Sequence, residues 1–348
     1  MTTGGRSSGH VRLKDVAALA GVSMKTVSNV VHGYQHVSPQ MRERVQAAID
    51  ELGYRPNLTA RRLATGRTGM VALALPEMDQ PYFAEMARLI GEEATRRGYR
   101  ILVEQTLGEV EAERAVLRDR EEGLVDGVIF HPVRIGTVEI ARLQPDTPLV
   151  LLGEAALPLT ADHVMIDNTA AAHEAVGLLL AQGRRRIAFL AAVRGDITAS
   201  TRVRLLGYQE ALVEAGIDPD PGLVLQSDGF ALEDGVRAVS QALESDVDFD
   251  AVLCRDDLFA LAAMRALDAA GRSVPGEVAV LGWDDTAYAR NATPPVSSVS
   301  PDKKALATTA FDLLEDRMTG FDGLGRHRLT AYSIAERATT SPAPRPAG

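Results

Sequence analysis

The sequence predicts an α/β protein in which a small all-α head precedes a larger, two-lobed body of doubly wound parallel sheets. Two observations lead to this division. Residues 1–67 read as short helices separated by turn residues and carry a net charge of +6, whereas the rest of the chain carries −16. From residue 69 onward, apolar strand-like runs alternate with amphipathic helical patterns, which is typical of parallel sheets covered by helices.

The composition excludes several broad classes of protein. Hydrophobic residues make up 46% and charged residues 24% of the 348 residues, which suits a globular chain of two or three domains. The single cysteine, Cys254, excludes a disulfide framework and a Cys-based zinc site, and it fits a reducing compartment. There is no run of eighteen apolar residues and no apolar signal segment, so we expect a cytoplasmic protein without membrane contact.

Three short helices are predicted between residues 12 and 53. In the first, the apolar residues follow a three-four spacing until Gly21 breaks the run. Ser23 is a favourable N-cap for the second helix, and Ser38-Pro39 opens the third, which stops at Gly53. The inward face of the second helix is predicted to consist of Val27, Val30 and Val31.

The first two helices, joined by the tight turn 20–23 and braced by the third, form the pattern of a helix-turn-helix. Such a unit places the N-terminal part of its second helix in a DNA major groove. Lys25 and Asn29 lie four residues apart on one face and both can bond base edges, while Met24 can contact a thymine methyl. The other residues predicted on the DNA-facing surface are Ser23, Thr26, Ser28 and His32. A purely structural three-helix bundle would explain the spacing but not the positive charge.

The stretch VRLKDVAALAGVSMKTVSNVVHGYQHVSPQMRERVQAAIDELGYRPN resembles the head of the lactose repressor family (LacI/GalR-type) of bacterial transcription regulators. Its motifs DVAALAGVS, TVSNVV, VSPQMRERV and LGYRPN occur in the order and spacing of that family, and the similarity continues nearly to the end of the chain. By this resemblance, Met24, Lys25 and Asn29 occupy the positions that read bases. Many relatives carry arginine at the position of Asn29, which leaves the half-site sequence open.

A short segment follows the head and is predicted to be a hinge. Residues 57–64 make a helix of only about two turns, which is too short to be stable alone in water. The resemblance implies that this helix forms when two copies meet in the minor groove of the operator, where Leu63 wedges into the central base step. Without DNA, the segment is a flexible linker. The hinge residues predicted to contact DNA are Asn57, Ala60, Arg61 and Leu63.

The body resembles the periplasmic-binding-protein-like sensor that this family uses. Ligands of open α/β sheets bind at the carboxyl ends of the strands, and sugars need aromatic stacking together with charged groups for their hydroxyls. By position, the family's effector-gripping side chains correspond to Arg204, Asp256 and Asp284, and its stacking aromatics to Tyr82 and Phe83. Further strand-end candidates are Gln80, His131, Glu154, Asn168 and Trp283, the last of which could equally be a core residue. Asp257 and Asp285 are interpreted as structural.

These patterns divide the chain into five segments. We predict a disordered N-terminus over 1–10, a helix-turn-helix domain over 11–56, a hinge and linker over 57–68, an effector-binding and dimerisation domain over 69–338, and a disordered tail over 339–348. Within the body, the chain is predicted to cross between two lobes near 155–166 and 286–301.

The function that fits these features is a homodimeric DNA-binding regulator, a repressor of carbohydrate-utilisation genes, that binds a pseudo-palindromic operator and is switched by a sugar held between the lobes. We identify no catalytic residue, metal site or cofactor motif. A glycosidase could use paired carboxylates, and a transport protein could share the body, but neither explains the head. A regulator of a non-sugar metabolite, one with a protein co-effector, or an activator stays an open alternative.

Overall fold

The computed structural model describes residues 11–31, 34, 36–54, 67–118, 123–143, 147–154, 160–193 and 198–340. The chain forms two compact units, one up to Thr68 and one from Gly69 onward. The predicted segment 1–10 and most of the predicted hinge lie outside the described residues, together with His32, Asn57, Ala60, Arg61 and Leu63. In the described part of the chain, no helix is long and apolar enough to cross a bilayer.

The first unit contains the three predicted helices, α1 (Leu13–Ala20), α2 (Met24–Val31) and α3 (Pro39–Leu52). The Ser23 hydroxyl accepts a hydrogen bond from the backbone N–H of Thr26 at 3.1 Å, so it caps α2 as expected. Gly21 ends α1 with a φ of 63°, a left-handed conformation that glycine adopts without strain. The core of the unit consists of Val16, Ala17, Ala20, Val27, Val30, Val45, Ala48 and Tyr54.

The second unit has two lobes, each built on a six-stranded sheet. The first lobe contains β1 (Met70–Leu75), β2 (Arg100–Gln105), β3 (Gly127–Phe130), β4 (Leu149–Leu152), β5 (Asp162–Met165) and β11 (His327–Leu329), with α4 (Pro81–Arg96), α5 (Val110–Arg118), α6 (Thr137–Arg142) and α12 (Lys303–Met318). Its strand order is β11-β5-β4-β3-β1-β2, and its described pairings are parallel. Residues of β1 alternate between two cores, one under α4 and α12 and one under α5 and α6. The sheet is therefore covered on both faces.

The second lobe repeats this plan. It contains β6 (Ile187–Val193), β7 (Val224–Ser227), β8 (Ala251–Cys254), β9 (Ala279–Trp283), β10 (Ser297–Pro301) and β12 (Tyr332–Ala335), with α7 (Asn168–Ala181), α8 (Ala199–Glu214), α9 (Leu232–Glu244), α10 (Asp257–Ala269) and α11 (Ala287–Asn291). The order is β12-β10-β9-β8-β6-β7, and β12 runs antiparallel to β10. Two doubly wound lobes, together with the helical unit that precedes them in the sequence, confirm the predicted fold class.

The chain crosses between the lobes three times. It passes from β5 to α7 at 165–168, from β10 to α12 at 301–303, and from β11 to β12 at 329–332. The backbone N–H of Thr330 donates to Met165, and that of Asp302 donates to Ala331, both at 2.9 Å. Backbone hydrogen bonds therefore link the three crossings to one another.

The predicted positions of the crossings need correction. The predicted range for the first crossing, 155–166, overlaps the observed crossing at 165–168 only at its end, because β5 (Asp162–Met165) is still a strand of the first sheet; residues 155–159 lie outside the described residues. The second crossing lies at 301–303, at the end of the predicted range 286–301, and the third was not predicted. The strand β10, with the sequence SSVSP, escaped prediction because its small polar residues lack the apolar pattern of a buried strand.

The end of the body also differs from the prediction. We placed a disordered tail from residue 339, yet Thr339 and Thr340 are fully buried. The Thr339 hydroxyl donates to the carbonyl of Val280 at 2.7 Å and accepts from the backbone N–H of Ser297 at 2.8 Å. The body therefore continues through Thr340, because these hydroxyls satisfy polar groups of buried strands.

A buried carboxylate holds together the parts of the first lobe that are distant in sequence. Asp162 at the start of β5 is fully buried and forms bidentate bonds with Arg317 of α12, at 2.9 and 3.0 Å, and with Arg326 beside β11. These two arginines hold the pKa of Asp162 at about 2, although burial by itself would raise it. The last helix and the edge strand are thereby attached to the sheet.

We expect Asp162→Asn to lower the free energy of unfolding by about 2 kcal/mol at pH 7, because the paired carboxylate ionises more readily in the folded chain than in the unfolded one. The loss should be complete above pH 5 and should shrink as pH falls toward 2, where the wild-type carboxylate is protonated as well. Urea unfolding at several pH values measures it. The control Asp316→Asn removes a largely exposed partner of Arg326 and should cost little. An equal loss at pH 3 and pH 7 would contradict the ionic explanation.

Candidate functional site

A cavity of about 290 Å³ lies between the carboxyl ends of the two sheets. Both sheets place polar loops there because their parallel strands all end at the same edge. The predicted candidates that line it are Gln80, Tyr82, Phe83, His131, Glu154, Asn168, Arg204, Asp256, Trp283 and Asp284. The structure therefore brings all ten together, and their contact with a ligand stays a prediction.

Arg204 on α8 is the central charged group of the cavity. Its Nε donates to the Asn168 side chain at 2.8 Å, and its Nη1 donates to the carbonyl of Arg255 at 2.6 Å. Its guanidinium lies 3.9 Å from the centre of the Trp283 ring, in cation–π contact. Burial lowers the pKa of Arg204, while the nearby carboxylates of Asp284 and Glu154 oppose that shift.

Close helix packing determines where Arg204 lies. A Cβ atom on Gly207 would approach the carbonyl oxygen of Thr169 to 2.1 Å, so only glycine permits this contact between α8 and α7. Asn168, the first residue of α7, is thereby brought within reach of Arg204, and its side-chain amide donates to Glu154 of the first lobe. The Arg204–Asn168–Glu154 chain thus links the second lobe to the first across the cavity.

Three rings form the wall of the cavity in the first lobe. The ring of Phe83 packs edge-on against His131 at 5.0 Å and against Tyr82 at 5.2 Å. Burial lowers the pKa of His131 to about 4, so its ring is neutral at pH 7. Gly153 faces this ring, and a Cβ there would approach it to 2.6 Å. The wall is therefore uncharged and suited to stacking.

Asp284 provides the carboxylate opposite this wall. The residue is 8% exposed, and burial raises the pKa of its carboxyl to about 7 even though Arg204 counteracts the shift. Among the described residues, none donates a hydrogen bond to this carboxylate. The backbone φ is 93° at Asp284 and 47° at Asp285. Both values lie in the left-handed region, which non-glycine residues rarely adopt. A buried carboxyl on a strained turn is the kind of group that ligand sites retain at a cost in stability.

The neighbouring aspartates differ in role. Asp256 caps α10 by accepting from the N–H of Phe259 at 2.8 Å and lies 3.2 Å from Arg255, so it reaches the cavity with its oxygens partly engaged. Asp257 accepts from the N–H of Thr286 at 2.6 Å and from the Ser298 hydroxyl at 2.7 Å. Asp257 is thus structural, as the sequence interpretation held.

Asp285 is structural as well. It accepts from Arg337 at 2.8 Å and from the Ser300 hydroxyl at 3.0 Å. The sequence did not decide whether Trp283 is a core residue or part of the pocket wall. It is both, because it is only 1% exposed and its ring contacts the Arg204 guanidinium at the cavity wall.

Several lining residues were missed by the sequence analysis. Arg255 follows β8 directly and stacks on Phe230, with 4.1 Å between its guanidinium and the ring centre. The position of Arg255 directly after a predicted strand could have identified it as a lining residue. Two rim segments, at 107–108 and 133–134, carry no such signal. The buried Glu113 holds the second of them by accepting from three successive backbone N–H groups of Val133, Arg134 and Ile135.

On the separate helical unit, the outer face of α2 is available for contact. Met24 and Lys25 are exposed, whereas Ser28 and Asn29 are half-buried and Val27 is fully buried. The hydroxyls of Ser23 and Thr26 bond to each other at 2.9 Å at the start of the helix. The predicted base-reading residues thus share one accessible face beside the helix N-terminus, where phosphate groups are favoured.

Comparison with known proteins matches both units. Residues 12–57 match the family described as bacterial regulatory proteins, lacI family, and residues 176–340 match a periplasmic binding protein-like domain. The chain is 38% identical over 328 residues to the HTH-type transcriptional regulator CelR of Thermobifida fusca, which covers 88% of this chain and 92% of that regulator.

Two solved structures extend the match to the fold. The complex of the transcriptional regulator CelR with cellobiose is 33% identical, with a TM-score of 0.70 over 94% of this chain and 99% of that one. The lac repressor dimer bound to operator and the anti-inducer ONPF is 27% identical, with a TM-score of 0.84 over 95% of this chain and 99% of that one.

We expect Asp284→Asn to raise the free energy of unfolding at pH 8 by at least about 1 kcal/mol. A carboxyl with a folded pKa of about 7 ionises later than in the unfolded chain, so wild-type stability falls as pH rises through that range, and asparagine escapes this cost. Urea unfolding at pH 8 and pH 4 checks it, and the gain should shrink at the lower pH. The exposed Asp268→Asn serves as control. A loss of stability at pH 8 would show that the carboxylate is needed by the fold.

Proposed function

Since this chain belongs to the lacI family of bacterial regulatory proteins, and is therefore a DNA-binding transcription regulator, we propose that it represses carbohydrate-utilisation genes and is switched by a sugar in the cavity between its lobes. Membership of this family, which consists of regulators and not enzymes, removes the glycosidase alternative. The regulator acts on DNA in the cytoplasm.

The observation that carries the sugar proposal is the polarity of the cavity. One side offers the uncharged rings of Tyr82, Phe83 and His131, and the other offers Arg204 beside the Asp284 carboxylate. Sugar CH faces stack on rings, and sugar hydroxyls donate to carboxylates and accept from guanidinium groups. The volume of about 290 Å³ lies at the lower end of small-ligand sites. Cellobiose is the first candidate, because the similar regulator CelR has been solved as a complex with it.

For DNA recognition, we propose that Lys25, Asn29 and Met24 read base edges in the major groove. The hydroxyls of Ser23, Thr26 and Ser28 would contact the phosphate backbone. His32, which lies outside the described residues, is predicted on the same DNA-facing side. In the hinge, Leu63 would wedge into the minor groove, with Asn57, Ala60 and Arg61 beside it. Two recognition helices about one helical turn apart require a homodimer on a pseudo-palindromic operator.

Regulation follows from coupling between the cavity and the hinge. A ligand that brings the lobes together shifts the dimer interface, and this shift changes the pairing of the two hinge segments. The coupling is reciprocal, so a sugar that weakens operator binding must itself bind less well to the operator complex. The second candidate function is an activator, or a regulator whose effector is a non-sugar metabolite or a protein, since the same helical unit and the same polar cavity would serve it.

We expect Lys25→Ala and Asn29→Ala each to change the base preference at one half-site position by about 1–3 kcal/mol, the range for one lost bidentate contact. Binding to a library of half-site variants measures this. The control Lys14→Ala removes an exposed lysine of α1 and should weaken all sequences equally. Uniform weakening by the two α2 variants would rule out their role in reading bases.

We expect Asp284→Asn to keep operator affinity but to lose tenfold to a hundredfold in affinity for cellobiose, since a charge-assisted hydrogen bond is removed. The experiment is an operator titration with and without cellobiose, with Asp268→Asn as control. A retained response would place the ligand elsewhere. If the wild type does not respond, a thermal-shift panel of sugars and sugar phosphates follows, in which a binder at a hundredfold excess over Kd stabilises by about 2.7 kcal/mol. The absence of any hit would favour the non-sugar alternative.

A further inference from the structure

Lys303 is a charged residue at the second crossing that does not line the cavity. Its Nζ donates to the carbonyl oxygen of Asp284 at 2.7 Å and to that of Asp285 at 3.1 Å, and it forms an ion pair with Glu85. Its side chain is only 11% exposed. An ammonium group has three donors, and all three are used here, so its position is strongly determined.

The backbone that Lys303 binds is the strained turn carrying the candidate ligand carboxylate. The N–H groups of this turn are anchored elsewhere: Asp284 donates to the carbonyl of Val299 at 2.8 Å, and Asp285 donates to the Ser298 hydroxyl at 2.9 Å. On the carbonyl side, Lys303 binds both residues. Two consecutive left-handed residues persist only where the surroundings determine the backbone fully. Lys303 is the one side chain among those described that donates to the carbonyl oxygens of both residues.

Glu85 connects this arrangement to the first lobe. It lies on α4, two residues after the stacking ring of Phe83, and it pairs with Lys303 and, at 3.3 Å, with Arg290 of the second lobe. Arg290 also donates to the carbonyl of Asp285. The same carboxylate therefore faces both cations that hold the turn, and its place depends on the position of the first lobe.

We propose that Lys303 is a positioning residue for Asp284: it holds the left-handed turn that directs the carboxylate into the cavity, and Glu85 makes this hold depend on the first lobe. The consequence for ligand affinity rests on the proposed function, but the hold on the turn does not. In this arrangement the distance between the lobes determines the direction in which the Asp284 carboxylate points. A merely structural ion pair would instead stabilise the fold and leave the turn and the ligand unaffected.

Hydrogen–deuterium exchange of the ligand-free full chain tests the hold on the turn. The amides of Asp284, Asp285 and Thr286 are all hydrogen-bonded, so they report its opening. Lys303→Met should accelerate their exchange about tenfold, Glu85→Gln should do so to a smaller extent, and Lys303→Arg should restore most of the protection. The matched control is Lys304→Met at the adjacent, exposed lysine. If Lys303→Met and Lys304→Met exchange equally at these amides, the proposal is wrong.

Titration with cellobiose as the probe, alongside urea unfolding of each variant, separates positioning from stability. We expect Lys303→Met to lose about tenfold in affinity relative to Lys304→Met at a temperature where both are folded, with Lys303→Arg close to wild type. Unchanged affinity in Lys303→Met, in a wild type that binds cellobiose, would overturn the link to the ligand. If the wild type itself binds no cellobiose, the choice of sugar fails, whereas the exchange rates still decide whether Lys303 holds the turn.

Discussion

Three chain crossings, bonded to one another through Thr330, Met165, Asp302 and Ala331, determine that the two sheets of the body face each other with their carboxyl ends. In a parallel sheet the loops that follow the strands all lie at the carboxyl edge, so this arrangement brings those loops of both lobes around one cavity. The first lobe contributes the rings of Tyr82, Phe83 and His131, and the second contributes Arg204 and Asp284.

Two features of the cavity act on the same carboxylate: buried charges shift its pKa, and the turn that carries it has an unfavourable backbone conformation. Burial lowers the pKa of Arg204, the carboxylates of Asp284 and Glu154 oppose that shift, and burial raises the pKa of Asp284 to about 7. That carboxylate stands on a turn whose backbone is unfavourable for aspartate, and Lys303 holds the turn from behind. We expect these two features to lower the stability of the protein, as is common at sites retained for binding. The ion pairs of Asp162 with Arg317 and Arg326, in contrast, stabilise the first lobe and do not line the cavity.

Most of the architecture was predictable because it depends on local patterns. The strands β1, β4 and β8 begin and end where their apolar runs do, and the caps at Ser23 and Ser38 start their helices as expected. Ten side chains of the cavity were also named in advance, partly from their places at strand ends and partly from the resemblance to the lactose repressor family. The prediction failed at β10 and at Thr339, where small polar residues are buried.

The sequence by itself therefore determined the helical head, the two sheets and the residue types of the cavity, since apolar periodicity, capping residues and strand ends act over a few residues. Only the tertiary structure decided the third crossing, the burial of Thr339, and the roles of Arg255 and Lys303. These depend on contacts between residues far apart in the chain, such as Lys303 with Glu85 and Ser297 with Thr339. No local pattern records such pairings, because each partner is an ordinary polar residue until the fold brings the two together.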